Sequence, residues 1–158
     1  KENGRLCFDV HDMSKPYFKQ FDTVFNLFTS FGYFDCDEDN LNTIKAIKAN
    51  LKPNGIGVID FMNIDVVKNS LKQDDIKTVN GIDFYLKRSV KNGYIVKDIA
   101  FNFKGQDFNF YERVKAFSLN DFKTMFEQAE LTLLDVFGDY QLNTFNKQNS
   151  ERLIMIFM

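Results

Sequence analysis

Asn26 to Tyr33, read N-L-F-T-S-F-G-Y, is the stretch of this 158-residue chain whose residue types and placement best suit chemistry. It completes an apolar run, Val24-Phe25-Asn26-Leu27-Phe28, that is too short for a helix and rich in β-branched and aromatic residues. A buried strand is therefore expected over 21–28. Side chains just past the carboxyl end of a buried parallel strand are where open α/β sheets bind ligands. An amide, hydroxyls and rings at that place would position a ligand. Asp60 and Asn63 end a second expected strand and Asp139-Tyr140 follow a later one, so Asn63 and Tyr140 are further candidates to face a ligand, against plain turns. His11 is the only histidine and could act as a base near neutral pH, but it lies inside the first expected strand. The acidic run Asp35 to Asp39 imitates a metal loop, yet its spacing fits no known cage, and helix capping is the expected role. Cys7 and Cys36 have no metal spacing and are too few for a disulfide scaffold, so both read as reduced thiols.

These residues need a core to hold them. A hydrophobic fraction of 44% supplies one, and 158 residues make one domain or most of one. The net charge of −2 offers no electrostatic case for nucleic acid or an anionic membrane as partner. Lys87, Arg88, Lys91 and Lys97 read as the solvent face of a sheet. No apolar run approaches the roughly 20 residues that span a bilayer. The first ten residues are mixed and charged, unlike a secretory leader, and a cytoplasmic location is expected.

The elements follow from periodicity. Leu6, Phe8 and Val10 alternate, predicting a strand over 4–13 that ends at Asp12-Met13 and is broken by Pro16. Leu41, Ile44, Ile47 and Leu51 predict an amphipathic helix over 37–51, stopped by Pro53-Asn54-Gly55. A second buried strand is expected over 56–62, completing a βαβ unit, with a weak helix over 64–75. Alternating aromatic segments at 82–89, 94–103 and 108–117 predict a three-stranded antiparallel meander within an insertion of about 76–117. Ser118 caps a helix over 119–130, and two more strands are expected at 131–137 and 152–158.

With the elements placed, the chain resembles the later part of a class I S-adenosylmethionine-dependent methyltransferase. The resemblance rests on Asp12-Met13 closing a strand, FDTVFNLFTSFGYF, the turn LKPNGIGVIDF, the segment FSLNDFKTMFEQAELTLLDVFGDY and Ser150-Glu151-Arg152-Leu153-Ile154. It implies an α/β, Rossmann-like methyltransferase sheet and, from the aromatic Ser-Phe-Gly-Tyr loop, the branch acting on small molecules. By that resemblance Asp12 would accept from the adenine amino group and the Met13 backbone would meet a ring nitrogen. Asn26, Leu27 and Phe28 would line the methionine end of the cofactor. Ser30, Phe31 and Tyr33 would border the substrate, and Asn63 and Tyr140 would join them. The competing readings are a solvated loop for Asp12 and strand-end or core packing for the others. No catalytic base and no metal ligand is assigned.

The family's first motif, a strand running into a Gly-rich E/D-x-G-x-G-x-G loop, is missing, as is the acidic residue about twenty positions later. Gly55 and Gly57 follow a helix and precede a strand, the wrong order for that loop. In the family order 3-2-1-4-5-7-6 the chain would hold strands 3–7 only, as a single domain fragment over 1–158. The expectation is therefore a methyltransferase without its amino-terminal cofactor half, inactive alone, with S-adenosylmethionine as cofactor of the intact enzyme and a small-molecule methyl acceptor. Segment 4–13 would be displaced from the sheet, disordered or paired with another copy, and a homodimer is expected, with strand exchange as one route. The alternatives are a non-catalytic dimerising module on a degenerate methyltransferase fold, or another nucleotide-using α/β enzyme.

Overall fold

The structure, a computed structural model, describes residues 6–158. Strand β1 (Phe21–Asn26) runs parallel to β2 (Leu51–Met62), and helix α1 (Asp37–Asn50) connects them. Asp37, Glu38 and Asp39 occupy the first turn of α1 and Lys48 the last, the charge order that a helix dipole favours. The expected helix stop at Pro53-Asn54-Gly55 lies instead inside β2. Strand pairing jumps there from Phe21–Leu51 to Thr23–Ile56, so the intervening residues bulge outward, with Asn54 at φ 63°.

Strand β2 then pairs antiparallel with β8 (Arg152–Phe157), and β8 pairs antiparallel with β7 (Leu133–Phe137). The sheet order is β1-β2-β8-β7. Helix α3 (Leu119–Gln128) starts at a reciprocal cap between Ser118 and Asp121. Its Phe122 and Phe126 join Ile44 and Ile47 of α1 against Ile59, Phe61, Met155 and Phe157 of the sheet. Both helices thus cover one face. On the opposite face Phe25 is 61% exposed and Ile56 39% exposed.

Helix α2 (Ile64–Ser70) is shorter than the expected 64–75. It is followed by a strand outside the expected elements: β3 (Asp74–Val79) opens an antiparallel sheet with β4 (Ile82–Lys91), β5 (Tyr94–Phe103) and β6 (Gln106–Lys115). That sheet has four strands where the sequence reading expected three. Its turns at Asn80-Gly81, Asn92-Gly93 and Lys104-Gly105 each carry two residues with positive φ, as tight two-residue hairpins require. Hydrogen bonds from the Lys115 amide to the Gly32 carbonyl and from the Tyr94 hydroxyl to the Asp35 carbonyl join it to the strand-end loop.

The strand expected over 4–13 is not there in the part that can be described; residues 4 and 5 lie outside the described residues. Residues 7–12 pair with no strand and are exposed. The Asp12 carboxylate turns back on its own segment and accepts from the Ser14 amide at 3.0 Å and hydroxyl at 2.7 Å. Alternation alone does not make a strand when no neighbour offers its backbone partners.

Gly57 sits against the Phe157 ring, where an added Cβ would stand 2.3 Å from a ring carbon. Gly57→Ala should therefore destabilise the chain by about 1–3 kcal/mol through overpacking, read as a lower urea midpoint. An unchanged midpoint would show that β8 yields freely there.

Candidate active site

Four chain segments meet at the carboxyl ends of β1 and β2, and a buried carboxylate joins them. Asp60, 1% exposed, accepts on one oxygen from Arg152 Nε at 2.8 Å and Nη2 at 2.7 Å. Its other oxygen accepts from the Phe28 amide at 2.9 Å and the Tyr140 hydroxyl at 3.0 Å. Arg152 Nη2 also donates to the Thr29 hydroxyl at 3.1 Å, and the Thr29 amide donates to the Asp60 carbonyl at 3.0 Å. Antiparallel pairing explains the convergence: β8 starts where β2 ends, so Arg152 emerges beside Asp60.

The strand-end loop is held in an unusual shape by these bonds. Phe28 and Thr29 have φ of 59° and 61°, a region that side-chain-bearing residues seldom occupy. The turn carries the Phe28 ring outward, where it is 75% exposed. The Ser30 hydroxyl is spent on the Leu27 carbonyl at 2.6 Å. Tyr140 presents a ring that is 58% exposed above the Arg152 guanidinium, 5.9 Å from its centroid. Burial, and then the bond to Asp60, push the Tyr140 phenol above its ordinary pKa; burial, and then the Glu112 charge, do the same for Tyr33.

A groove of about 330 Å³ lies beside β1, between the 11–17 segment and α1. His11, Met13, Val24, Asn26 and Ile47 line it. Asn26 turns its amide nitrogen toward the Met13 sulfur at 4.0 Å, and its buried side-chain oxygen has no hydrogen-bond partner among the described residues. Buried acceptors are seldom left unpaired, so this oxygen is a place for a ligand donor. Asn50, buried at the end of α1, fixes the groove wall by accepting from the Tyr17 amide and donating to the Tyr17 and Lys19 carbonyls. His11 is bonded to the Lys15 carbonyl.

Met13 and Asn26 therefore share one groove, with Leu27 and Phe28 following β1 into the strand-end loop. Tyr140 joins that loop through Asp60, and Tyr33 is half exposed. Three expected site residues go elsewhere. Phe31 is 1% exposed and fills the core against Phe117 and Phe122, because the loop turns inward after Ser30. Asn63 is buried under the 146–150 loop, donating to the Lys147 and Ser150 carbonyls at 3.0 and 2.8 Å and capping α2. Asp12 is engaged by Ser14 and Lys15 and does not line the groove. The acidic run serves α1 and the second sheet, with Asp35 paired to Arg113 and Asp37 to Lys115.

No family profile matches the chain. No curated protein matches it at the level of sequence. Its fold is that of solved S-adenosylmethionine-dependent methyltransferases. One from Clostridium acetobutylicum superposes with a TM-score of 0.80 at 17% identity, over 94% of this chain and 63% of that one. The CcbJ methyltransferase of Streptomyces caelestis gives 0.78 at 12% identity, over 94% and 61%. CalS10 of Micromonospora echinaspora, an amino pentose methyltransferase solved with S-adenosylmethionine bound, gives 0.68 at 15%, over 93% and 62%. The chain thus spans about three fifths of the length of these proteins. No helix among the described residues is long and apolar enough to cross a membrane.

The Asp60 network makes two variants unequal. Arg152→Ala leaves a buried carboxylate without its counter-ion and should cost about 3–5 kcal/mol in urea unfolding. Tyr140→Phe leaves Asp60 three other donors and should cost only about 0.5–1.5 kcal/mol. Equal losses would contradict the ranking. Tyr140 should also titrate late: in an absorbance titration, Tyr140→Phe should remove a phenol that ionises above about pH 10. Because the folded state retains that proton, the linked stability is complete below about pH 10 and is lost as pH rises through the raised value.

Proposed function

We propose that this chain is the later part of an S-adenosylmethionine-dependent methyltransferase acting on a small molecule. The shared fold over nearly the whole chain is the observation that carries this reading. Three further features support it. The order β1-β2-β8-β7 would correspond to strands 4-5-7-6 of the family sheet, and the outer edge of β1 would then be where the family's first strand pairs. The exposed Phe25 and Ile56 lie on a face that a parallel sheet normally keeps covered. Asn26 offers an unpaired acceptor in the groove beside that edge.

S-adenosylmethionine supplies a methyl group already activated by its sulfonium, so the protein need only position, align and exclude water. Asn26 would accept a hydrogen bond from the amino group at the cofactor's methionine end, with Met13, Leu27 and Phe28 packing around it. Phe28, Tyr33 and Tyr140 would form the wall for the methyl acceptor. Tyr140 would hold its ring in place through Asp60. Since its phenol proton is committed to that carboxylate, its oxygen is free to accept from an N–H or O–H of the substrate. The groove would be completed by a Gly-rich loop from the remaining part of the domain.

Isothermal calorimetry tests the reading. The chain alone should bind S-adenosylmethionine no tighter than about 1 mM, a standard free energy near −4 kcal/mol. Joined to the polypeptide that completes the domain, it should bind in the micromolar range, and Asn26→Ala should then weaken binding about tenfold, or ~1.4 kcal/mol. Micromolar binding by the chain alone would refute the divided pocket. No binding by the completed domain would overturn the methyltransferase assignment.

A further inference from the structure

The sheet of β3, β4, β5 and β6 is a single layer that keeps one apolar face uncovered. Leu86, Ile99 and Phe110 stand side by side across β4, β5 and β6. The next row outward brings Phe84, Phe101 and Phe108 together, with ring centroids 4.8 Å apart for Phe84–Phe101 and 5.0 Å for Phe101–Phe108. All six point to one face, because side chains two apart on a strand share a face. Nearer the strand-end loop, Val114 of the same face is buried in the core beside Gly32. Farther out no described residue forms a layer above the face: Phe110 is 57% exposed, and Phe84, Leu86, Ile99, Phe101 and Phe108 are half-buried. The reverse face is different in kind: it alternates Tyr85 and Tyr111 with Lys87 and Asp98.

A sheet hydrophobic on one side needs a second layer to bury that side. We propose that the second layer is the same sheet of a second copy of this chain, packed face to face about a two-fold axis. Charge permits self-association. The ions on this face are Arg88, Lys97, Asp75, Glu112 and Lys77, and the first four are paired within the chain as Arg88–Asp75 and Lys97–Glu112. The centre of the face is therefore neutral, and the one remaining charge, Lys77, stands on the edge strand β3, at the rim of such a contact. Size agrees as well. Four strands about 4.8 Å apart, three of them about 33 Å long, make a face of several hundred Å², on the order of the roughly 800 Å² per partner in a standard interface. Two identical twisted sheets pack with their strands about 30° apart, and a two-fold axis through the interface produces that arrangement without further adjustment. The inference does not rest on the methyltransferase reading and stands or falls separately from it.

Sedimentation equilibrium of the chain and four variants tests it. The unmodified chain should be a dimer at micromolar concentration. Phe110→Glu places a charge on the exposed centre of the face and should weaken the dimer at least about tenfold. Phe110→Thr, which keeps strand propensity, should weaken it in the same direction and guards against misfolding of the first variant. Tyr111→Glu, one residue away on the reverse face, should leave the dimer within about twofold of the unmodified chain. Phe25→Lys, on the other sheet, should do the same. A monomeric chain would overturn the proposal. So would a dimer that survives both Phe110 variants, or one broken by Tyr111→Glu or Phe25→Lys, since either would place the contact elsewhere.

Discussion

The buried carboxylate of Asp60 is the constraint on which the candidate site depends. A carboxylate taken out of water is costly unless its lone pairs are filled. Here four donors fill them: two from Arg152, the Phe28 amide and the Tyr140 hydroxyl. Each donor belongs to an element that has to end at this point. The strand-end loop after β1, the end of β2, the start of β8 and the loop after β7 therefore share one solution. The left-handed backbone of Phe28 and Thr29 is stable because its amides have fixed acceptors in Asp60. The exposed rings of Phe28 and Tyr140 then stand on a rigid base, which is what a site that works by positioning requires.

The second constraint is incompleteness of layers. A parallel pair of strands belongs in the middle of a covered sheet, yet β1 lies at an edge, and α1 and α3 share a single face. The groove beside β1, the unpaired oxygen of Asn26 and the exposed Phe25 are grouped on that unfinished side. The antiparallel sheet has a different need. Its aromatic face lies beyond the core that Val114 enters, and an identical face can satisfy it. One chain thus presents two surfaces with separate physical demands, a strand edge with backbone groups to pair and an apolar face to cover.

Much of this was legible locally. The acidic start of α1 and the Ser118–Asp121 cap are short-range signals that lie where the expected helices begin; the apolar run of β1 forms a strand, but a half-exposed edge strand and not the buried one expected. Strand β3 lies outside the expected elements although Asn80-Gly81 is as strong a hairpin signal as Asn92-Gly93, because the weak helical pattern before it continues to residue 75. The alternation of Leu6, Phe8 and Val10 suggested a strand, but strand formation is decided by a partner that sequence periodicity does not report. Phe31 and Asn63 were placed by residue type, and their burial depends on how the loops turn. The pairing of Asp60 with Arg152 joins residues far apart in sequence, and no local pattern announces it. Arg152 was visible only within a family-like motif, and Asp60 only as a strand end.

The proposed division of a methyltransferase domain between this chain and a segment that carries the cofactor loop is checked by determining the reading frame that precedes Lys1. About 60–100 in-frame codons should encode a strand running into a Gly-rich loop, with an acidic residue about twenty positions later. A frame that supplies no such strand and loop would contradict it and leave a methyltransferase-like fold serving association alone.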